Sequence, residues 1–203
     1  MKFNGPKVKL SRALGIALTP KAQKYMEKRP YPPGQHGPNK ARRKQQSVYG
    51  KQLLEKQRLR FQYNVSERQM RNYFRKALRK QGKTGEVLVQ QLETRLDAFV
   101  LRSGMATTIY AARQYVGHGH IEVNDRPVNI PSYQVKVGDV ISIKDKSRTN
   151  VHIQQAVDYS PPPPNYIERQ RPGGYEAKFV RMPSREEIPV ICDENMIVEF
   201  YSK

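Results

Sequence analysis

The amino-acid sequence predicts an α+β protein made of a basic N-terminal extension, a helical domain, and a mixed domain with short helices packed on a small antiparallel sheet. Three observations support this fold class. Residues 1–46 mix basic residues with proline and glycine and show no sustained period. From residue 47 the apolar residues recur with a helical period, and between residues 120 and 144 the period changes to two.

These changes of pattern predict the domain boundaries. We expect a basic extension that contains proline and glycine at 1–46 and a helical domain at 47–91. A mixed domain follows at 92–182, and a C-terminal segment occupies 183–203. Because the extension mixes basic residues with proline and glycine and shows no sustained period, we expect it to become ordered mainly on a partner.

A stretch rich in proline lies inside the extension. Residues 29–37 are RPYPPGQHG, and basic residues flank them on both sides. Proline lacks an amide donor and glycine costs backbone entropy, which excludes a helix or a central strand. The stretch is therefore expected to be a stiff loop, either a binding element or a simple connector between the extension and the first helix.

Two helices are predicted in the helical domain. Ser47 can cap the first helix, and Ser66 with Gln69 forms a capping box for the second. The apolar side of the second helix is expected to comprise Met70, Tyr73, Phe74, Ala77 and Leu78. On its opposite side lie Arg68, Arg71, Arg75 and Arg79. Without interleaved glutamates these arginines repel one another unless phosphates face them; the alternative is a solvated face.

Short helices and strands are predicted in the mixed domain. The block LETRLDAFVLRSG predicts one helix that ends at Gly104, and Thr107 or Thr108 caps a second that closes at Gly117. A hairpin around 121–128 and a strand at 140–143 follow. A helix is possible around 154–157, and strand-like pieces occur at 177–181 and 196–201.

The charge distribution points to a polyanionic partner. The chain carries 37 Lys+Arg against 18 Asp+Glu, a formal net charge of +19. Residues 1–82 hold 22 basic and 3 acidic residues, whereas residues 83–203 hold 15 of each. Nucleic acid and an anionic membrane surface are the candidates. The apolar run Ala13–Leu18 is too short to span a membrane, so nucleic acid is favoured and no membrane is expected.

The sequence lacks recognisable catalytic or metal-binding patterns. His118 and His120 are two residues apart, which does not suit a metal pair, and Cys192 is the only cysteine. Asp97 lies among apolar neighbours, and we expect it to cap a helix or to pair locally. Arg95 is expected either to bind RNA or to pair with an acidic neighbour within the chain. We predict no catalytic residues, no metal and no cofactor.

A known RNA-binding domain resembles the segment ETRLDAFVLRSGMATTIYAARQYVGHGHIEVNDRPVNIPSYQVKVGDVISIK, residues 93–144. It was first described in small-subunit ribosomal protein four and also occurs in pseudouridine synthases, a tyrosyl-tRNA synthetase and a heat-shock ribosome-rescue protein. The rest of the chain resembles the ribosomal family itself. The segments that carry this likeness are GPKVKLSR, RPYPPGQHG, KARRKQQSVYGKQLLEKQRLRFQY and MIVEFYSK.

The resemblance implies a structural role in the small ribosomal subunit. Members of the family bind the 5′ domain of 16S-type rRNA near a five-helix junction, nucleate assembly of the subunit body and influence decoding accuracy. They touch ribosomal protein five and line the mRNA entry channel, and some bacterial members repress their own operon. The implied location is the cytoplasmic ribosome, with no homo-oligomer required, and the C-terminal segment is implied to pack back toward the helical domain.

The extension departs from many family members, which bind zinc there through four cysteines. Val8 and Ser11 stand where the first two cysteines are expected, which indicates the zinc-free branch. We then expect RNA and the prolines themselves to order the extension. Prolines that stiffen the loop would reduce the entropy lost when it lies against RNA.

Candidate RNA-binding residues follow from these patterns together. In the extension and helical domain they are Arg12, Tyr31, Gln35, His36, Lys40, Arg42, Arg43, Lys44, Arg58, Arg68, Arg71, Arg75 and Arg79. In the mixed domain they are Arg113, Gln114, His118, His120 and Asn124, although Asn124 is equally explained as a hairpin turn residue. Phe200, Tyr201 and Lys203 are candidates for the protein-partner interface.

Two rival functions use the same RNA-binding domain. One is an RNA-modifying enzyme, which needs a catalytic domain that the chain does not offer once residues 92–144 are assigned. The other is a free RNA chaperone or rescue factor. A structural component should remain with small subunits through a high-salt wash, whereas a free factor should be removed.

Overall fold

The computed structural model describes residues 3–38, 47–169 and 173–202. The chain divides into two compact units: unit 1 comprises residues 1–85 and 190–203, and unit 2 comprises residues 86–189. The helices are α1 (Lys7–Leu14), α2 (Pro20–Lys28), α3 (Val48–Gln62), α4 (Glu67–Leu78), α5 (Thr84–Glu93), α6 (Leu96–Arg102), α7 (Ile109–Gly117), α8 (Val151–Tyr159) and α9 (Glu194–Ser202). The strands are β1 (Ile121–Val123), β2 (Arg126–Pro127), β3 (Val140–Ile143), β4 (Ile167–Arg169) and β5 (Glu176–Phe179). The predicted α+β class is confirmed.

Helices α1 and α2 lie in the extension, where the sequence analysis predicted no helix. Pro6 is the N-cap of α1, and Pro20 occupies the first turn of α2, where a missing amide donor costs nothing. Gly15 ends α1 with a φ of 70°, a conformation that glycine adopts without strain. The prolines and the glycine therefore mark helix ends instead of preventing helices.

The predicted capping of α3 and α4 is confirmed. The Ser47 hydroxyl accepts a hydrogen bond from the Gly50 amide at 3.2 Å. Ser66 and Gln69 form both hydrogen bonds of the capping box at the start of α4. Four of the five residues predicted for the apolar side of α4 are buried. The fifth, Leu78, is 56% exposed, because it lies in the last turn, where no described residue covers it.

Helix α9 occupies the C-terminal residues that were predicted to be strand-like. The apolar, β-branched and aromatic residues of MIVEFY suit a strand when considered alone. In the structure the Asp193 carboxylate accepts a hydrogen bond from the Met196 amide at the helix start, and Ile197 is completely buried. Packing of α9 on α3 outweighs the local preference for a strand, so the strand prediction is wrong.

Unit 2 is built on a five-stranded antiparallel sheet with the strand order β2–β1–β3–β5–β4. The predicted helix α7, capped by Thr108, the hairpin and strand β3 are confirmed. Inward-facing residues alternate along the strands, as in Ile121 and Val123 of β1 and Ala177 and Phe179 of β5. They pack against α6, α7 and α8 in one apolar core.

The single helix predicted from LETRLDAFVLRSG is interrupted at Thr94 and Arg95. Arg95 has an extended backbone and pairs with Gln134 as an isolated bridge, so α5 ends at Glu93 and α6 begins at Leu96. The predicted local pairing of Asp97 is confirmed. Its carboxylate accepts two hydrogen bonds from Arg95, at 2.9 and 2.6 Å, and both side chains are fully buried. A buried ion pair thus holds the chain where the helices separate.

Candidate nucleic-acid interface

The predicted arginine row lies on the solvent side of α4. Arg68, Arg71, Arg75 and Arg79 are all exposed, opposite the buried apolar side. The side chain of Arg71 is 64% exposed, and its Nε lies 3.8 Å from a Glu67 carboxylate oxygen. One carboxylate beside four guanidinium groups leaves a strong positive field at this surface.

Glu67 is a carboxylate beside the arginine row, although the spacing of charges in the sequence indicated none there. Its carboxylate accepts hydrogen bonds from Lys56 Nζ and from the Tyr201 hydroxyl, each at 2.9 Å. Burial acts to raise the pKa of Glu67, but these two hydrogen bonds and the charges of Lys56 and Arg60 outweigh it and hold the pKa below its ordinary value. Glu67 therefore mainly links α3, α4 and α9, and it neutralises the arginine row only in part.

Tyr201 and Phe200 of α9, predicted to contact a protein partner, are engaged within unit 1. The Tyr201 ring lies 4.9 Å from that of Phe74, and burial together with the Glu67 carboxylate raises the pKa of the Tyr201 hydroxyl. Lys56 Nζ lies 4.7 Å from the centre of the half-buried Phe200 ring. Both aromatic residues contribute to the packing of α9, and each keeps part of its surface exposed.

Arg12 turns toward the proline-rich loop of its own unit. Its Nε donates to the Tyr31 carbonyl at 3.1 Å, and one Nη donates to the Pro32 carbonyl at 3.3 Å. The guanidinium carbon also lies 4.9 Å from the centre of the Tyr31 ring. Arg12 therefore fastens the loop to α1, while Gln35 and His36 at the loop tip are exposed.

Arg58 has a similar role on α3. Its Nε donates to the Leu14 carbonyl at 2.9 Å, at the end of α1, and one Nη donates to Glu55 at 2.6 Å. Arg12 and Arg58 were predicted from the sequence as RNA ligands, whereas in the structure they hold the extension in place. No local signal could have revealed this, because each arginine meets carbonyls 19 or more residues away.

The structure also brings Arg29 and Lys51 close to these two arginines. The four basic residues line one cleft of unit 1. Neither Arg29 nor Lys51 was among the predicted site residues. Their proximity depends on the packing of α3 against the loop, which the spacing of residues in the sequence does not show.

The five predicted RNA-binding residues of unit 2 differ in whether they are exposed or already bound to other residues of the chain. Gln114 and His118 are exposed on α7 and at its C-cap. Arg113 lies 3.4 Å from Asp97, and the His120 ring nitrogen lies 2.9 Å from the Ser147 hydroxyl. Asn124 has a φ of 50° in the hairpin turn, and its amide nitrogen donates to Asp139 at 2.9 Å. Its role as a turn residue is confirmed.

Several predicted residues lie outside the part of the chain that the structure describes. They are Lys40, Arg42, Arg43, Lys44 and Lys203. At the predicted position of the zinc cysteines, the Ser11 hydroxyl donates to the Lys7 carbonyl at 2.8 Å and accepts from the Leu18 amide at 3.2 Å. Within residues 3–38, 47–169 and 173–202, no three His, Cys, Asp or Glu side chains form a group that could hold a metal ion. No described helix combines the length and apolar character needed to cross a membrane.

Comparison with known families identifies both parts of the chain. Residues 2–93 match the ribosomal protein S4/S9 N-terminal domain. Residues 94–141 match the S4 domain. A protein named small ribosomal subunit protein uS4 from Streptomyces griseus subsp. griseus is 54% identical over 202 residues, covering 98% of this chain and 97% of the relative.

The chain belongs to the ribosomal protein S4 family. Further relatives of the same name come from Micrococcus luteus, at 52% identity over 97% of this chain and 95% of the relative, and from a Roseiflexus species, at 48% identity over 100% and 99%. S4-family ribosomal proteins are structural components and not enzymes, so the RNA-modifying rival is set aside. The predicted resemblance is confirmed over nearly the whole chain.

Proposed function

We propose that this chain is a structural component of the small ribosomal subunit in the cytoplasm and binds small-subunit rRNA mainly through unit 1. The observation that carries the proposal is the exposed arginine row of α4 on the unit that holds nearly all of the excess positive charge. Unit 1 contains 24 Lys+Arg against 6 Asp+Glu, whereas unit 2 contains 13 against 12. Phosphate contacts of this kind supply most of the affinity of a protein for folded RNA.

The arginine row is suited to a site where several phosphates converge. Arg68, Arg71 and Arg75 extend from one rigid, capped helix, so little backbone entropy is lost when they bind. Gln114 and His118 in unit 2 offer a second, less charged surface. Two such surfaces, each contacting a different part of one RNA, would select its three-dimensional shape and would not depend on base reading.

The finer parts of the proposal concern the region of RNA that the protein binds and the consequences of that binding. The RNA is the 5′ domain of 16S-type rRNA, and binding there nucleates assembly of the subunit body and contributes to translational accuracy. Ribosomal protein five and mRNA near the entry channel are the further partners. Family membership and the residues that carry the family resemblance support these roles.

A binding experiment with two RNAs tests the central claim. The purified chain is titrated with a 5′-domain fragment of small-subunit rRNA and with an unrelated structured RNA of equal length, over a series of salt concentrations. We expect the 5′-domain fragment to remain bound at salt concentrations that release the control RNA. If both RNAs dissociate along one steep salt dependence, the chain acts as a generic polycation and the proposal fails.

Sedimentation tests the structural role separately. We expect the chain to remain with small subunits during a wash at high salt, because contacts made by two units must break together. Release at a salt concentration that leaves other ribosomal proteins bound would instead favour a free RNA chaperone or rescue factor.

A further inference from the structure

A basic cleft opens in unit 1 between α1, the loop after α2, and α3. Its volume is about 710 Å³, within the range that small ligands and single nucleotides occupy. The basic residues that line it are Arg12, Arg29, Lys51 and Arg58. No carboxylate is among the described residues of its lining. Glu55, which is outside the lining, balances Arg58, and the other three cations make the cleft attractive to a phosphate.

The way in which Arg12 is held keeps its charge available. Both of its hydrogen-bond acceptors are neutral carbonyls, so the guanidinium group is fixed in position without being neutralised. Arg58 is only partly comparable, because Glu55 balances its charge. Arg29 and Lys51 are exposed, and the described residues supply no acidic partner for either. An anion would therefore meet one rigid cation and two adaptable ones.

The uncharged part of the cleft is rigid and suited to a flat ring. Pro30, Pro32 and Pro33 line it beside the half-buried Tyr31, and Met26 and Leu54 add apolar surface. Prolines lose little conformational entropy on binding because their φ angle is already fixed. Aromatic and guanidinium surfaces are the usual stacking partners of unpaired bases.

We propose that this cleft binds one unpaired nucleotide of an RNA chain, with its phosphate between Arg29, Lys51 and Arg12 and its base against Tyr31 and the prolines. A nucleotide supplies the phosphate and the flat ring together, whereas an acidic peptide segment supplies only the negative charge. The surrounding positive field of unit 1 favours a nucleotide that belongs to a longer polyanion over a free mononucleotide. This inference rests on the proposed rRNA-binding function and assigns it a specific subsite.

The first test uses a double variant of the full-length chain, Arg29→Gln with Lys51→Gln. The matched control is Lys24→Gln with Lys28→Gln, which removes the same charge from exposed positions of α2 outside the cleft. With the 5′-domain fragment, we expect the cleft variant to bind about 10-fold more weakly and the control about 2-fold more weakly. Circular dichroism should show the same helix content for both, since none of the four side chains holds the fold.

The second test locates the base. Ultraviolet crosslinking of the wild-type complex followed by mass spectrometry should find a nucleotide attached to Tyr31 or to a residue beside it. The crosslink should disappear in Tyr31→Leu and persist in Tyr31→Phe, which keeps the stacking surface. Excess adenosine monophosphate that is added before irradiation should not reduce the yield of the crosslink. If it does, a free nucleotide is the ligand of the cleft and the RNA assignment is overturned.

Failure of this inference can be distinguished from failure of the proposed function. If the wild-type chain prefers the 5′-domain fragment but the cleft and control variants lose affinity equally, rRNA binding stands and the cleft is not a subsite. If the wild-type chain does not distinguish the fragment from the control RNA, the proposed function fails first. A crosslink confined to α4 would likewise overturn the cleft assignment.

Discussion

The two units of this chain use arginine in different ways. In unit 2 the buried guanidinium groups are matched mainly by carboxylates, as in Arg95 with Asp97 and Arg102 with Glu93. Arg169, which donates to the Ser103 carbonyl, is an exception. In unit 1 Arg12 donates to two backbone carbonyls, whereas Arg58 donates to one carbonyl and also pairs with the Glu55 carboxylate. A paired carboxylate cancels most of the positive potential of an arginine, whereas an arginine held by neutral carbonyls keeps a positive potential toward solvent.

This difference explains how one chain can contain a nearly neutral unit and a strongly basic unit. Unit 2 has an extended apolar core under its sheet and uses ion pairs at the points where its helices separate. The described elements of unit 1 are helices, and hydrogen bonds from charged side chains to carbonyls and carboxylates hold several of them together. Charged side chains therefore stabilise both units, but only unit 1 keeps a large excess of positive charge.

The largest effect is expected when a buried ion pair of unit 2 is broken. Asp97→Asn leaves Arg95 buried without a full counter-charge, which should lower the free energy of unfolding by about 3–5 kcal/mol. Urea denaturation followed by circular dichroism measures this loss. As a control, Asp145→Asn removes an exposed carboxylate that pairs with Arg148 and should change stability little. Equal effects of the two substitutions would show that burial of the ion pair is unimportant.

The exposed basic residues of the two units should contribute unequally to RNA binding. Replacing Arg68, Arg71, Arg75 and Arg79 with glutamine should weaken binding to the 5′-domain fragment by about 100- to 1,000-fold and flatten its salt dependence. The matched variant replaces four exposed basic residues of unit 2, namely Arg126, Lys136, Lys146 and Lys178. Filter binding over a salt series should show only a small loss for it. Similar losses would mean that total charge and not its position governs binding.

A smaller effect is expected when a carbonyl-held arginine of unit 1 is replaced. Arg12→Lys keeps the positive charge but loses the two directed hydrogen bonds to the loop, which should cost about 1–2 kcal/mol of local stability. Hydrogen exchange at the amides of α1 and of residues 31–37 reports this opening. Lys9→Gln, at an exposed position of α1, serves as the control. Unchanged protection in Arg12→Lys would show that Arg12 does not hold the loop.

The smallest effect concerns Tyr201 and depends on pH. Tyr201→Phe removes the hydrogen bond to Glu67 and should lower stability by about 1 kcal/mol at neutral pH. Because the pKa of Glu67 is lowered in the folded protein, its contribution is complete above the ordinary value of 4.5 and is lost as the pH falls below it. In Tyr201→Phe the pKa of Glu67 should rise, so acid unfolding should begin at a higher pH. An unchanged acid transition would exclude this hydrogen bond as a cause of the lowered pKa.

Local chemistry made much of the fold predictable. The capping box at Ser66, the cap at Thr108 and the hairpin turn at Asn124 involve residues a few positions apart, so their hydrogen bonds could be inferred from spacing. The arginine row of α4 was predictable for the same reason, because helical geometry determines which side each residue faces. Helices α1 and α2 were not predicted, because prolines mark their ends. The wrong assignments were the single helix across Thr94 and Arg95 and the strand at α9, where distant packing partners outweighed local preference.

The fold class, the family and the concentration of positive charge in residues 1–82 follow from the amino-acid sequence alone, because they depend on composition, period and motif. Which basic residues hold the protein together, and which remain available to a partner, follows from the folded structure. Arg12 and Arg58 meet carbonyls far away in the chain, and Glu67 meets Tyr201 across 134 positions. An isolated sequence does not show these contacts, since a hydrogen bond requires two groups within about 3 Å and chain separation places no limit on which groups approach.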